Sequence, residues 1–513
     1  MKYYDIHCHV FNKEVLSNRI VNVVLPLLEL LDEEKEGTLL NIDKVEQVME
    51  RIERFLSAFL KDTSKDVFDV LDQAYNQEFS IIPLMFDLTY ADDNDGNIAQ
   101  DVLYKMRREN VIELLQDATK YIKSKIVNND ELVQKLTDLA DVKDGFFKGI
   151  FNFREETFTD NNFEQQIADL ENLAQNDRVL PFFGIDPRRE KRGGESAVEL
   201  IKKYVLANNA KFKGVKLYAP AGFSPTDQVL YDNSNNRECV YSLCQEHNIP
   251  ITVHCSDAGF ACTSRHLVVQ GHVNLHDTVV YFDTPKRIKF KNKFFSFKAA
   301  KAIKERAEIL NHPKLWEEVF KRYPKLTLNL AHFGGSGQIM KYVRYELPEK
   351  IKHSDFKDIL ETVSNKDYKI IAKVYKEGPT HYKLKYEIPH SEREKVWNIL
   401  YAEGIIDNWT KAIYDIIRNP KYPNAFTDLS CFSEIDEVYN DITISHKLGE
   451  FKQLLYDKSS PYVKSKILYG SDFFFCLIFG PAIQRYIQDF KDVFADELQD
   501  IASVNAERFL EGN

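Results

Sequence analysis

The chain has 513 residues, 68 Lys and Arg against 79 Asp and Glu, a formal net charge of −11, and 44% hydrophobic residues. That balance supplies material for a large core and excludes bulk disorder, and its acidity argues against general nucleic-acid binding. Seven cysteines without CxxC spacing read as reduced thiols, and no basic segment followed by an apolar one opens the chain, so a soluble cytoplasmic protein is expected.

The first apolar run, "YYDIHCHVF", begins at Tyr3. As a strand it points His7 and His9 to one face and Ile6, Cys8 and Val10 to the other. Two imidazoles side by side can grip a metal ion; two surface histidines on an edge strand are the plainer alternative. Val45, Val48, Met49, Ile52, Phe55, Leu56, Phe59 and Leu60 then follow a helical period. Seven further short apolar runs come after: "IIPLMFDLT" from Ile81, "VLPFFGID" from Val179, "GVKLYAP" from Gly214 and "ITVHCSD" from Ile251, then "LTLNLAHFGG" from Leu326, "AFTDLS" from Ala425 and "ILYGSD" from Ile467. Apolar runs ending in polar residues suit parallel strands buried on both faces. "SAVELIKKYVLANN" and "NRECVYSLCQEHN" supply crossover helices on either side of the fourth run. The longest apolar stretch, "FFFCLIFGPAI" from Phe473, is too short to span a bilayer and reads as core or pocket lining.

Eight alternating strand and helix units predict an α/β fold, a (β/α)8 TIM barrel forming a single domain over residues 1–513. The long gaps, at about 10–80, 90–178, 256–325 and 337–424, read as mainly helical insertions around the mouth. His7 and His9 end the first predicted strand, His254 the fifth, His332 the sixth and Asp472 the eighth. In a barrel these ends converge. Imidazoles from strands 1 and 5 with a carboxylate from strand 8 can complete a divalent-metal site that keeps an open position for water.

The motifs "DIHCH", "GVKLYAP", "TVHCSD", "NLAHFGG" and "YGSDF", in this order, resemble the amidohydrolase superfamily, in particular its amidohydrolase-related branch, which includes carboxylate-processing decarboxylases. With strand 1 starting near Tyr3 and a helix-sized tail after Asp472, the flanking β-sandwich that many deaminase-like and dihydroorotase-like members carry is not expected here. The resemblance implies that His7, His9 and His254 are metal ligands. It makes Asp472 both a ligand and the acceptor of a proton from water. His332 would orient that water, polarise the substrate or bind a second metal. Lys216 stands where two-metal relatives carry a carboxylated, bridging lysine, although several one-metal relatives have a similar motif without the modification. It can equally be an ammonium pairing a substrate carboxylate, or be ion-paired with Asp472 or another barrel acid. Zinc is the first expectation for the metal and manganese the second; one ion is favoured, two if Lys216 is carboxylated.

Arg188 and Arg189 follow strand 3 and can clamp an anionic substrate, with a loop salt bridge as the plainer reading. Asp87, ending strand 2, reads as a hydrogen-bond partner inside the barrel. Tyr218 and Phe333 neighbour the proposed ligands and are candidate pocket residues. His266, His272 and His276 do not have the spacing of a compact metal site. The basic, aromatic stretch from Pro285 to Arg306 reads as an amphipathic helix with a solvated face.

The expected function is that of a metal-dependent hydrolase using a metal-activated water on a C–N or C–O bond of a small substrate, with Asp472 and His332 as catalytic residues. The alternative is a non-oxidative decarboxylase or hydratase of a small unsaturated or aromatic acid. A non-catalytic binding protein on a degenerate barrel is the reading of another class, and the full ligand set argues against it. The expected partner is a small molecule, with an anionic one open, rather than nucleic acid or membrane. Self-association stays open.

Overall fold

The computed structural model describes principally residues 2–11, 63–90, 161–232, 238–259, 308–348, 390–432, 444–479 and 483–512, with short strand segments between 266 and 287 and between 350 and 385. The helix expected over 45–60 lies outside the described residues, apart from Ala58.

All eight expected strands form: β1 (Tyr3–Cys8), β2 (Phe79–Pro83), β3 (Phe182–Ile185), β4 (Gly214–Leu217), β5 (Ile251–Val253), β6 (Leu328–Leu330), β7 (Ala425–Asp428) and β8 (Ile467–Leu468). β3 to β8 make one parallel sheet in chain order, and β1 pairs in parallel with β2. Hydrogen bonds cross both seams between these sheets. Leu180 N donates to Ile81 O at 2.9 Å and Met85 N to Phe182 O at 3.1 Å, while Ile6 N donates to Tyr469 O at 3.2 Å and Asp472 N to His7 O at 2.7 Å. The fold is α/β around a parallel sheet.

Alternation along the strands separates two environments. Val215 and Leu217 on β4, Ile251 and Val253 on β5, and Leu328 and Leu330 on β6 join the large apolar cluster that faces the helices. Lys216, Thr252 and Asn329 lie between them and face the opposite way, buried. On that side, Tyr4, Ile6, Ile82, Leu84, Phe182, Phe426 and Leu468 form a second, small cluster with Ala506 and Phe509. The terminal helix Asn505–Glu511 therefore sets Phe509 among the beginnings of the strands, with its ring 5.5 Å from Phe426 and 6.0 Å from Phe182. Gly214 makes room there, because a Cβ would stand 2.6 Å from the Phe182 ring.

Ile6 departs from strict alternation. It packs with Ile82 and Leu84 rather than with Cys8 and Val10. The register against β2 shifts between Asp5 and Cys8, where β1 carries one residue more than its partner. Such a bulge turns the strand over locally, so Tyr4 and Ile6 fill the interior below while His7 and His9 point into it above.

The crossovers follow from capping and periodicity. Helix Ser64–Ala74 starts at Thr63, whose hydroxyl accepts from Asp66 N at 3.1 Å, and it buries Val67, Phe68, Leu71 and Ala74. Asn408 caps Trp409–Ile417 in the same way through Lys411 N at 2.8 Å. The expected crossovers around β4 are Ala197–Ile201, continued by a π-helical turn, and Val240–Glu246.

Among the described residues, the insertions carry antiparallel strands beside helices such as Pro313–Arg322 and His390–Ala402. His272–Leu275 pairs antiparallel with Thr278–Tyr281, and Lys350–Lys352, His381–Lys385 and Lys373–Glu377 form a three-stranded antiparallel sheet. "HYKLK" alternates apolar residues with lysine, the period of a half-exposed strand. The basic stretch expected to be a helix begins instead with Lys286–Arg287 paired to His266–Leu267, and its residues 288–306 lie outside the described ones. Phe473–Phe479 is a helix whose described residues Phe473, Phe474, Cys476 and Leu477 are buried. No described helix is long and apolar enough to cross a membrane.

Candidate metal centre

The strand ends gather His7, His9, Lys216, His254, His332, Asp428 and Asp472, all buried. Gly470 allows the closest approach between β1 and β8, since a Cβ there would lie 2.7 Å from that of His7. Two residues of the cluster, His332 (φ 68°) and Asp472 (φ 49°), hold left-handed backbone conformations, as does Phe333 (φ 49°). L-residues adopt that region at a cost, and such strain collects at functional sites.

Hydrogen bonds fix the imidazole tautomers. His9 Nδ1–H donates to Leu84 O at 2.8 Å, which leaves Nε2 with its lone pair. His7 Nδ1–H donates to Asp428 Oδ2 at 3.1 Å, so its Nε2 lone pair also faces the cluster, 3.5 Å from Lys216 Nζ. His254 Nε2–H donates to Ala258 O at 2.7 Å. Its Nδ1 then accepts from His332 Nε2–H at 2.9 Å, and His332 Nδ1 meets the Ser430 hydroxyl at 2.9 Å.

His9 Nε2 lies 3.8 Å from Asp472 Oδ1, and that oxygen is buried without a hydrogen-bond partner. Two acceptors facing each other in a dry site repel unless a cation stands between them. Ligands about 2.1 Å from one ion lie no more than about 4.2 Å apart, so the spacing suits a shared metal. His7, His9 and Asp472 offer ligand atoms within 4.8 Å of one another. The residues fit a divalent ion. A second group within the same limit, His7, His332 and Asp428, is already joined internally by the hydrogen bonds around Asp428.

Burial pushes the His7 imidazole down to about 4, helped by the Lys216 charge and opposed by Asp428. His9, His254 and His332 are likewise held well below the ordinary range, chiefly by burial. All four are therefore neutral, the form that ligates metal. Burial also brings the Lys216 ammonium down to about 8 against the pull of Asp472 and Asp428. It lifts the Asp472 carboxyl well above the usual range, Lys216 opposing. A metal ion beside Asp472 would reverse that direction through its own charge. For Asp428 burial works upward too, yet His7, His332 and the hydrogen bonds hold this carboxyl below its ordinary range.

The strand-end expectation thus brings His7, His9, His254, His332 and Asp472 together. His254, expected as a ligand, belongs to neither metal-capable group, and Ala258 and His332 occupy both its ring nitrogens. Lys216 makes no ion pair with a described carboxylate within 4.0 Å; its hydrogen bond is to His7. Tyr218 lines the cluster, its ring 4.9 Å from that of His254 and 4.8 Å from that of Phe86. Phe333 turns away, into the large apolar cluster beside Phe451.

Neither arginine reaches the cluster. Arg188 pairs with Asp186 at 2.5 Å and donates to Tyr90 O and Ala221 O. Arg189 forms a two-pronged pair with Asp87, both bonds 3.0 Å, and stacks on Phe163 at 3.7 Å. Both arginines form the salt bridges that were the plainer reading of the sequence, and Asp87 is the buried partner of Arg189. Of the three histidines after β5, His266 and His272 lie on short strands and His276 lies outside the described residues.

Asp428 and Ser430 did not stand out in the sequence. The signal was available: Asp428 ends the seventh apolar run as His254 and His332 end theirs.

The amidohydrolase family model matches residues 133–355, a span that includes Lys216, His254 and His332 and ends before Asp428 and Asp472. That match places this part of the chain in the amidohydrolase superfamily. Its members are mostly enzymes, metal-dependent hydrolases and decarboxylases among them, and typically bind a divalent metal. No curated protein and no solved structure matches the chain.

Proposed function

We propose that the protein is a metal-dependent hydrolase acting on a C–N or C–O bond of a small substrate, with its eight strands closed as a (β/α)8 barrel. The hydrogen bonds across both seams support closure. The observation that carries the activity is the pair of facing acceptors, His9 Nε2 and Asp472 Oδ1, with His7 alongside. His7, His9 and Asp472 would hold the ion, zinc before manganese, with His254 Nδ1 as a further candidate ligand atom. When bound, the ion supplies Lewis-acid polarisation and lowers the pKa of water. Asp472 takes the proton of the attacking water and passes it to the leaving group. His332 Nδ1, 4.0 Å from Asp472 Oδ2, orients that water and steadies the developing charge.

Lys216 favours a second reading. A buried ammonium with no described carboxylate within ion-pairing distance suits a substrate carboxylate, as a decarboxylase or hydratase of a small acid requires. Metal analysis and product chemistry test both readings. Purified protein should hold about one divalent ion per chain. Hydrolysis in heavy-oxygen water should label the released acid, whereas the second reading releases carbon dioxide or adds water across a double bond. Protein that stays metal-free after dialysis against excess zinc would sink both.

A further inference from the structure

Asp428 takes no part in the proton transfers above, yet it touches more of the centre than any ligand does. Its Oδ2 accepts from His7 Nδ1–H at 3.1 Å and from Asn329 Nδ2 at 2.7 Å. Its Oδ1 accepts from the main-chain amides of His332 at 2.9 Å and Ser430 at 3.0 Å, and from the Ser430 hydroxyl. The carboxylate is thereby held from β6 and β7 together. We propose that Asp428 is the positioning residue of the metal centre. It fixes His7 as the Nδ1–H tautomer with Nε2 as ligand atom, and it fixes the left-handed His332 backbone relative to that ring.

The inference rests on the reading of His7 as a ligand. A carboxylate can only accept, so the ring nitrogen against it must carry the proton and the other must carry the lone pair. The same side chain receives the His332 amide, which sets the two imidazoles at a centroid distance of 4.6 Å. One group therefore sets where the ligand nitrogen points and where the catalytic imidazole stands. Neither function requires Asp428 to touch metal or substrate.

Two measurements test this without an activity assay. In metal-free protein labelled with 15N-histidine, His7, assigned by loss of its signal in His7→Gln, should be protonated on Nδ1 and bare on Nε2. In chelator competition, Asp428→Asn should bind zinc about 10- to 100-fold more weakly than wild type, the usual cost of losing a carboxylate behind a ligand histidine. A merely structural role would lower the melting temperature and leave the zinc affinity of the folded variant unchanged, which would overturn the proposal. Wild-type His7 protonated on Nε2 would also overturn it, and that measurement decides the matter even if Asp428→Asn fails to fold. Wild-type protein that takes up no zinc would sink the metal reading instead, and the His7 tautomer would still report on Asp428.

Discussion

Asp428 and Asp472 end neighbouring strands and are both buried, but their surroundings are opposite. Five donor groups reach Asp428: His7 Nδ1, Asn329 Nδ2, two main-chain amides and the Ser430 hydroxyl. Oδ1 of Asp472 meets none and faces the lone pair of His9 instead. The difference pushes their acidities in opposite directions. Burial lifts Asp472 well above the ordinary carboxylate range, while Asp428 is held below it in spite of burial. A saturated buried carboxylate builds geometry, because every lone pair is already committed. A buried one without donors is costly as it stands and becomes favourable when a cation arrives. On the proposed function, the β7 side of the centre is its frame and the β8 side its binding edge.

The largest effects should follow from removing the binding edge. His9→Ala, or His7→Ala with it, should abolish metal uptake and with it all turnover, while changing the fold little; metal analysis and circular dichroism check this. Asp472→Asn should abolish turnover and weaken zinc, since it removes ligand charge and the proton acceptor together. If Asp472→Asn kept full activity, the contrast between the two carboxylates would carry no chemistry.

His332 tests the boundary between edge and frame. Its ring faces the edge, and its amide belongs to the frame through Asp428. His332→Asn should keep metal content and lower turnover by about 10²- to 10⁴-fold, the range of a lost acid–base group. A variant that lost its ion as well would place His332 among the ligands and revive the two-metal arrangement with Lys216.

The frame was harder to read than the edge. The strands were legible because buried parallel strands leave short apolar runs ending in polar residues, and the edge residues were legible because histidines at such ends are conspicuous. Asp428 was passed over because an aspartate after "AFT" looks like any strand-end polar residue; only tertiary structure brings β1 and β6 to it. The destination of Arg189 was hidden for the same reason, since Asp87 lies 102 residues away. Alternation alone could not reveal the bulge in β1, which arises from pairing with β2. The antiparallel strands described within the insertions carry a period-two pattern in lysine-rich sequence, as in "HYKLK".

Arg189 extends the comparison beyond the centre. Its pair with Asp87 is a frame element with no link to the edge. Arg189→Met should leave Asp87 without its partner and destabilise the protein by about 3 kcal/mol, at the low end for a broken buried pair. Metal content and kcat of the folded fraction should stay at wild-type values. A loss of substrate affinity without a loss of stability would instead give Arg189 the clamping role that the sequence offers beside the salt bridge.

The smallest effect is expected at Ser430. Its hydroxyl sits between Asp428 Oδ1, His7 Nδ1 at 3.0 Å and His332 Nδ1 at 2.9 Å, a position that invites a role in moving protons. Yet each neighbour keeps another partner or needs none. His7 Nδ1–H still donates to Asp428, Asp428 still accepts three other groups beside it, and His332 Nδ1 is left as a bare acceptor. Removing the hydroxyl therefore strands no buried donor, and the cost to stability is that of one hydrogen bond to a charged group, roughly 1.5–3 kcal/mol. That energy is lost from stability and not from the reacting atoms, so Ser430→Ala should lower kcat by less than about 15-fold, roughly 1.5 kcal/mol of barrier, and should leave zinc affinity within a few-fold of wild type. Steady-state kinetics and chelator competition on the same preparation separate the two effects. A fall in kcat beyond a hundredfold at unchanged zinc affinity would mean that a proton passes through Ser430 to His332. The frame would then take part in the chemistry, and the division between the β7 and β8 sides would fail.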